Sequence, residues 1–570
     1  MSRRVEVHRL RRRHDLVDPA ETVDGDLLNE QLHLGVEVFT PFFSRAFFFH
    51  QCVHLHVDPS LHQSARFERA FGATVKRACE TERVSSLVPP APSPVDLPVV
   101  AGTAVRLDER AVFIDRNLVA GGSPWRLLRL AGPSREVVER WRLGGCVEPG
   151  EGRLARTLIT QGLLHPITTD EVDVGDVEVV VPLRDDSTSL SALLSQLNGF
   201  RVTVVDDASM DGEAVTRVAE RAGADLLRLD RNLGPGGARN AGARRGAGAF
   251  IWFIDADVTL VNPENVAKRL RSAFSDPLVA AVAPRVRGAD DPGWREGFER
   301  RFGPLDQGPK PSLVVAGASV SFVPGACLMV RREAFGDGFD DSLRVGEDVD
   351  FVWRLTDAGW LVRYDAATVV AHRARKTWPA WWRQRHLYGR SSAALAIRHG
   401  RRVAPLRADA WTVIAWALVA AGRPALAWRV VHAAQRHART TTFASTLNPD
   451  DVAREVVTRH MLSAGGPLAR AVVRTFGVAV LAAALHPRLR RGALGLFALG
   501  TLWRWRHDRL RVADVPLGVA DDLAYGTGVV VGAWRARSWR AVLPDITRPT
   551  MSLREVIGLA GRGTRPPRLT

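Results

Sequence analysis

The sequence predicts an α/β protein built around a parallel sheet, with a small mixed module before it and helices after it. Three observations lead there. Apolar runs recur at Val177–Val181, Val202–Val205 and Phe250–Ile254, and each is followed by carboxylates. Helix-like spacings separate these runs, the alternation expected of parallel strands buried on both faces. A glycine-rich turn, Asn232-Leu233-Gly234-Pro235-Gly236-Gly237-Ala238-Arg239-Asn240, opens one of the intervening helices. In open sheets of this kind ligands bind at the carboxyl edge of the strands.

Composition narrows the class. A hydrophobic fraction of 46% and a charged fraction of 25% are those of a globular protein, and 570 residues imply several domains. The net charge of +16 comes from arginine, because the chain has only four lysines, Lys76, Lys268, Lys310 and Lys376. A basic balance suits nucleic acid, anionic membranes or phosphorylated substrates. No zinc-finger spacing or aromatic-basic RNA signature accompanies it, which argues against nucleic acid. Cys52, Cys79, Cys146 and Cys327 lie far apart without a CxxC pair, as expected in a reducing cytoplasm. No signal-peptide pattern opens the chain.

Residues 1–96 show no steady period. Arginine- and histidine-rich stretches flank an aromatic cluster, and Pro89-Pro90-Ala91-Pro92-Ser93-Pro94 reads as a stiff linker. The expectation is a poorly ordered extension or a surface-binding amphipathic segment. Residues 97–170 read as a small winged-helix-like module. Val105 and Leu107, then Val112 and Ile114, alternate as strands around the turn Asp108-Glu109-Arg110. A helical run from Gly121 holds Trp125, Leu127, Leu128 and Leu130. Ser134 caps a second helix carrying Val137, Val138 and Trp141, and a third carries Leu154, Leu158 and Ile159.

Residues 175–395 hold the chemistry. The first strand ends in Val181-Pro182-Leu183-Arg184-Asp185-Asp186 and the second in Asp206-Asp207-Ala208-Ser209. A carboxylate just past a strand can accept from a nucleobase N–H or a ribose hydroxyl; the plain alternative is a helix cap. Gly234, Gly236 and Gly237 would let backbone N–H groups approach a phosphate at a helix start. No Gly-Lys-Ser/Thr follows, so this is not a Walker loop. Asp255-Ala256-Asp257 places two acids where they can hold a divalent cation, Mg²⁺ or Mn²⁺, that screens a diphosphate. Farther on come Pro324-Gly325-Ala326 and Gly346-Glu347-Asp348. The latter heads a helix, where an acid can serve as general base or simply complement the helix dipole. His372 closes a strand, as a third metal ligand or a structural histidine. Trp382, Arg385 and Arg390 combine aromatic and guanidinium groups that can stack on sugar or pair with phosphate.

In this order, the motifs of residues 177–390 resemble the family 2 glycosyltransferases of the GT-A fold (nucleotide-diphospho-sugar transferases, Rossmann-like). The resemblance implies an inverting transfer from a nucleoside-diphosphate sugar. It implies that Asp206 reads the base, with Pro182, Arg184, Asp207, Gly236, Arg239, Asn240 and Asp255 on the donor side. Asp257 with Asp255 would bind the metal, and Asp348, beside Glu347, would be the catalytic base. Gly325, Trp382, Arg385 and Arg390 would face acceptor or phosphate. The Gln-x-x-Arg-Trp element of processive synthases is absent, and Gln384-Arg385 echoes it only in part.

Residues 97–170 resemble PqqD-like peptide-binding domains. The architecture from about residue 97 resembles the glycosyltransferases of mycofactocin biosynthesis. That implies UDP-glucose as donor and a peptide-derived redox cofactor as the small acceptor, extended as a short β-1,4 oligoglucoside. A cell-envelope glycan or lipid-linked acceptor, a nucleotidyltransferase and a non-catalytic peptide-binding scaffold remain as alternatives.

Residues 402–545 alternate arginines with apolar runs of 11 or 12 residues, below the ~20 that span a bilayer. They read as helical hairpins on the catalytic domain, some lying on an anionic membrane surface with arginines snorkelling. The expected location is the cytoplasm, peripheral at the inner face of the membrane. Residues 546–570 form a basic, proline-containing tail, expected to be mobile.

Overall fold

The computed structural model describes residues 36–39 and 88–547, apart from 116, 168–171, 376, 445, 447 and 508–510. Two small sheets come first. Val36–Phe39 (β1), Ala104–Leu107 (β2), Val112–Asp115 (β3), Leu118–Gly121 (β4) and Arg126–Leu130 (β5) are followed by Gly132–Arg142 (α1), Gly145–Cys146 (β6), Gly152–Thr160 (α2) and Leu164–Pro166 (β7). Strands β1-β5-β4-β3 form one antiparallel sheet and β6-β2-β7 another.

The helical run expected from Gly121 is instead strand β5. Its alternation is hidden because both faces are buried. Leu128 and Leu130 join the module's core with Trp141, Leu154 and Leu158, while Leu127 packs with Phe443, Val452 and Val456 of the carboxyl-terminal helices. A strand covered on both sides loses the period of two that would identify it. The module therefore has two helices rather than three. Ser134 is buried within α1, whose start is set by Gly132-Pro133 rather than by a side-chain cap.

The expected linker is also docked. Val88 is buried, Trp360 Nε1 donates to the Pro89 carbonyl at 2.8 Å, and Ala91 N–H donates to Ala358 O at 2.8 Å. Strand β1 likewise falls inside the segment expected to be poorly ordered. The rest of that reading, like the tail beyond residue 547, lies outside the described residues.

The large sheet follows from Val177–Leu183 (β8), Ser187–Leu194 (α3), Arg201–Asp206 (β9), Gly212–Arg221 (α4), Asp225–Arg228 (β10), Gly234–Arg245 (α5), Phe250–Ile254 (β11) and Val258–Thr259 (β12). It continues with Pro263–Ser272 (α6), Val279–Gly288 (β13), Trp294–Phe302 (α7), Ser312–Leu313 (β14), Cys327–Arg331 (β15), Glu347–Asp357 (α8), Leu361–His372 (β16) and Trp378–His399 (α9). Strand order is β10-β9-β8-β11-β15-β13-β16-β12, with β14 beside β16. The first four strands are parallel, as the apolar runs require. Strand β15 is antiparallel to both β11 and β13, so the distal half is mixed. Asp186 and Asp211 cap α3 and α4 through Ser189 N and Ala214 N.

The carboxyl-terminal region comprises Arg407–Asp409 (β17), Ala410–Ala420 (α10), Pro424–Thr440 (α11), Pro449–Ser463 (α12), Gly465–Arg470 (α13), Gly477–Ala483 (α14), Arg490–His507 (α15), Val515–Arg535 (α16) and Asp545–Thr547 (β18). Strands β17 and β18 pair in parallel. Helix α16 lies backbone to backbone on α9. A Cβ on Gly389 would stand 2.0 Å from Tyr525 O, and one on Gly528 would stand 2.0 Å from His386 O. A buried ion pair crosses the same seam, Arg385 to Asp521; Arg385 also joins Glu299 of α7, and Arg474 joins Asp521 at 2.6 Å. Among the described residues no single helix is long and apolar enough to cross a membrane. One bent pair, Pro449–Thr475 with Gly477–Ala483 at 68°, has the length and composition of a broken span.

Candidate active site

Four chain segments converge at the carboxyl edge of β11. Ile254 pairs with Cys327, so the Pro324-Gly325-Ala326 loop runs beside Asp255, whose N–H donates to Ala326 O at 2.8 Å. Val258 of β12 pairs with His372 at the end of β16, which brings that imidazole to Asp257. His372 Nε2 and Asp257 Oδ1 stand 3.3 Å apart, and Arg375 reaches Asp257 Oδ2 at 3.7 Å. On the other side Asp348, at the start of α8, accepts the Gly325 N–H at 3.0 Å and the Val349 N–H at 2.8 Å. Gly325 thus links the paired acids to the candidate base.

Arg239 fastens the interior. Its guanidinium is 3% exposed and donates to Asp255 Oδ1 at 2.7 Å and Glu347 Oε1 at 3.0 Å. Burial works against its charge, yet the two carboxylates hold its pKa above the ordinary arginine value. Glu347 is therefore engaged inside the scaffold, and Asp348 is the more open of the two acids. Burial first, and the neighbouring Asp348 charge second, push Glu347 up to about 7. Burial and the Asp257 charge also raise Asp255. In Asp257 burial is outweighed by His372 and Arg375, which lower its pKa; in His372 burial is outweighed by Asp257 and Asp255, which raise it.

The sign for Glu347 follows from linkage. A carboxyl raised by folding contributes stability that is full below its unfolded value of 4.5 and is lost as pH rises through about 7. A Glu347→Gln variant is expected to gain melting temperature relative to the native protein as pH goes from about 5 to about 8, spanning those values. Thermal unfolding at the two pH values checks this, and a pH-independent difference would contradict it.

The donor-side residues divide into two groups. Arg184 is exposed, and Pro182 is buried at the end of β8. Asp206 is buried; it accepts from Ser209 N at 2.8 Å and pairs with Arg228 at 3.1 Å. Asp185 and Ala208 both take positive φ, at 58° and 57°, and their loops are tied by Asp185 N–H to Ser209 Oγ and Met210 N–H to Asp185 Oδ1. Left-handed backbone at two non-glycine residues is stored strain, of the kind that clusters at ligand sites.

The glycine-rich turn is partly engaged within the protein itself, at Leu233 and Gly234. Asp207 accepts from Leu233 N–H at 2.6 Å and Gly234 N–H at 2.8 Å, taking two of the donors at that helix start. Gly236 is small because Phe339 and Glu347 pack against it: a Cβ there would meet them at 3.1 and 3.2 Å. Asn240 is buried and bonds Phe339 N–H, Phe339 O and Asp341, so it holds the distal loop rather than a ligand.

Arg385 is likewise corrected. It is 1% exposed and ion-paired with Glu299 and Asp521, out of reach of a phosphate. The exposed Trp382 and Arg390 of the same helix remain accessible. Two side chains escaped the motif reading. Arg375 lies three residues past His372, and its place just beyond a strand end was a usable sign. Tyr388, pushed up to about 12 by burial and then by the charges of Asp348 and Asp255, carried no sequence sign.

Among the described residues no three His, Cys, Asp or Glu side chains gather to hold a metal by themselves. Asp257 and His372 nevertheless suit two positions on one cation, since 3.3 Å is close to the ~3 Å edge of an octahedron with ~2.1 Å bonds. Such a cation needs further oxygens, which a diphosphate provides.

A mixed sheet of this order, with paired acids at one strand end and a facing acid on a helix, is the GT-A arrangement of a glycosyltransferase. The family model "Glycosyl transferase family 2" matches residues 187–339. The pre-mycofactocin glycosyltransferase of Mycobacterium tuberculosis is 35% identical over 78% of this chain and 98% of its own length. The chain belongs to the family 2 glycosyltransferases. The N-acetylglucosaminyl-diphospho-decaprenol L-rhamnosyltransferase of the same organism is 31% identical over 31% of this chain and 67% of its own. Among solved structures, the mannosyltransferase PcManGT of Pyrobaculum calidifontis, in complex with GDP-mannose and Mn²⁺, has a TM-score of 0.39 and 18% identity, covering 65% of this chain and 90% of that one.

Proposed function

We propose that the protein is an inverting, metal-dependent glycosyltransferase that moves glucose from UDP-glucose onto a peptide-derived redox cofactor of the mycofactocin type. The observation that carries the chemistry is the bridge at Gly325, with Asp348 on one side and the Asp255–Asp257–His372 group on the other. An acceptor hydroxyl placed beside Asp348 gives its proton to that carboxylate as its oxygen bonds to the anomeric carbon. The bond from that carbon to the diphosphate oxygen breaks, and UDP leaves from the opposite face. A divalent cation held by Asp257 and His372 would neutralise charge on the leaving diphosphate. Arg375, half-exposed beside Asp257, adds a positive group there.

An open groove of about 510 Å³, lined by Trp294, Arg295, Glu296, Thr377, Trp378 and Pro379, begins two residues beyond Arg375. Its two half-exposed tryptophans suit a flat or sugar-bearing acceptor. The acceptor reading is supported by likeness to the 35% identical pre-mycofactocin glycosyltransferase, matched over nearly its whole length. A lipid-linked sugar acceptor is the second reading, favoured by the rhamnosyltransferase match.

Product analysis tests the proposal. With UDP-, GDP- and dTDP-sugars offered alongside peptide-derived and lipid-linked acceptors, the expected outcome is hexose added to the former, as one residue or a short chain, with UDP released. Pyrophosphate release would instead mark a nucleotidyltransferase. Asp257→Ala is expected to abolish transfer, and chelation of divalent cations to do the same to the native protein.

A further inference from the structure

Helix α15 turns apolar side chains both inward and outward. Ala493, Phe497, Gly500 and Arg504 repeat at helical spacing and face inward. Phe497 meets Gly477, Gly500 lies against Val473, and Arg504 bonds Asp522 and Gly518 O. The outward face is not polar. Leu494, Leu499 and Leu502 are exposed, and Leu485 and Leu489 extend the face through the preceding turn, with exposures from 48% at Leu494 to 80% at Leu485; Trp503 is turned aside, edge-on against Trp416. Contiguous apolar surface of this kind marks an interaction site.

The charge around it selects the partner. Between residues 465 and 507 the sequence has seven arginines and no aspartate or glutamate. Arg488 just before α15, Arg490 and Arg491 at its start and Arg506 near its end are exposed beside the leucines. We propose that the turn before α15 and the outward face of α15 dock on an anionic lipid surface. The leucines enter the acyl boundary, and the flanking arginines lie among phosphate headgroups. The helix lies flat: its 18 residues are interrupted by charge, and no single described helix qualifies as a span. A protein partner would be expected to present acids to this face; phospholipid headgroups present a continuous layer of them.

Flotation of the full-length protein with phosphatidylcholine vesicles, alone or mixed with phosphatidylglycerol, tests the idea without any activity measurement. Its outcome is therefore independent of the donor and acceptor proposed above. Binding is expected to rise at least about tenfold on the anionic vesicles and to fall with salt. The Leu499→Glu/Leu502→Glu variant is expected to lose that binding at unchanged melting temperature and donor turnover. Equal binding by the variant, no preference for the anionic vesicles, or no binding at all overturns the proposal. So does a native dimer that these substitutions convert to monomer without any vesicle binding, because the face then covers a second copy.

Discussion

An Asp348→Asn protein is expected to lose roughly 10²–10⁴-fold in kcat while its KM for the donor stays near native. The substitution is nearly isosteric and leaves α8 in place, but an amide cannot take the acceptor's proton. In the function proposed above the donor is held from Asp206, Asp257 and their neighbours, so donor binding should persist. The native carboxylate already accepts from Gly325 and Val349 N–H, which fixes its orientation before any acceptor arrives. Turnover at saturating donor and acceptor decides the matter. Near-native turnover would falsify the assignment and move the base to another group.

Replacing Arg239 with methionine is expected to destabilise the fold by about 3–5 kcal/mol, the range for removing one member of a buried ion group. Asp255 and Glu347 would be left facing each other across a cavity, with Asp257 and Asp348 adding like charge nearby. The guanidinium also supports the Pro324-Gly325-Ala326 loop, since a Cβ on Gly325 would lie 3.1 Å from it. Arg239→Lys should recover only part of the loss, because an ammonium cannot fork between two carboxylates as a guanidinium does. Denaturant midpoints for the three proteins supply the test. A methionine variant within about 0.5 kcal/mol of native, the range of an ordinary surface substitution, would sink the claim.

The legible parts of this protein were those in which one local sequence does one job. Strands β8, β9 and β11 are apolar along their length because helices cover both faces, and their terminal acids mark the site edge. Asp255-Ala256-Asp257 and Gly346-Glu347-Asp348 stood out because each places acids at an element boundary. Long-range partnerships were not legible. Nothing in Arg385's neighbourhood announces Glu299 and Asp521, which lie 86 and 136 residues away. Nothing near Gly234 shows that Asp207 occupies its N–H. Strand β5 was misread as a helix for the same reason, its second buried face being supplied by residues beyond 438. Asn240 and Gly236 were seen as parts of a ligand cradle, yet their bulk and hydrogen bonds are set by the Phe339–Glu347 segment.

The backbone contact between α9 and α16 bears on whether the catalytic part can live alone. Glycines 389 and 528 leave no side chain to re-solvate, so excising everything after residue 400 would bare a strip of main chain along α9. It would also orphan Arg385 from Asp521 while leaving it bound to Glu299 on the catalytic side. A catalytic part that ends with α9 is therefore no cassette that recombination could lend to another chain. Donor site and terminal helices must be inherited, and must drift, as a single block.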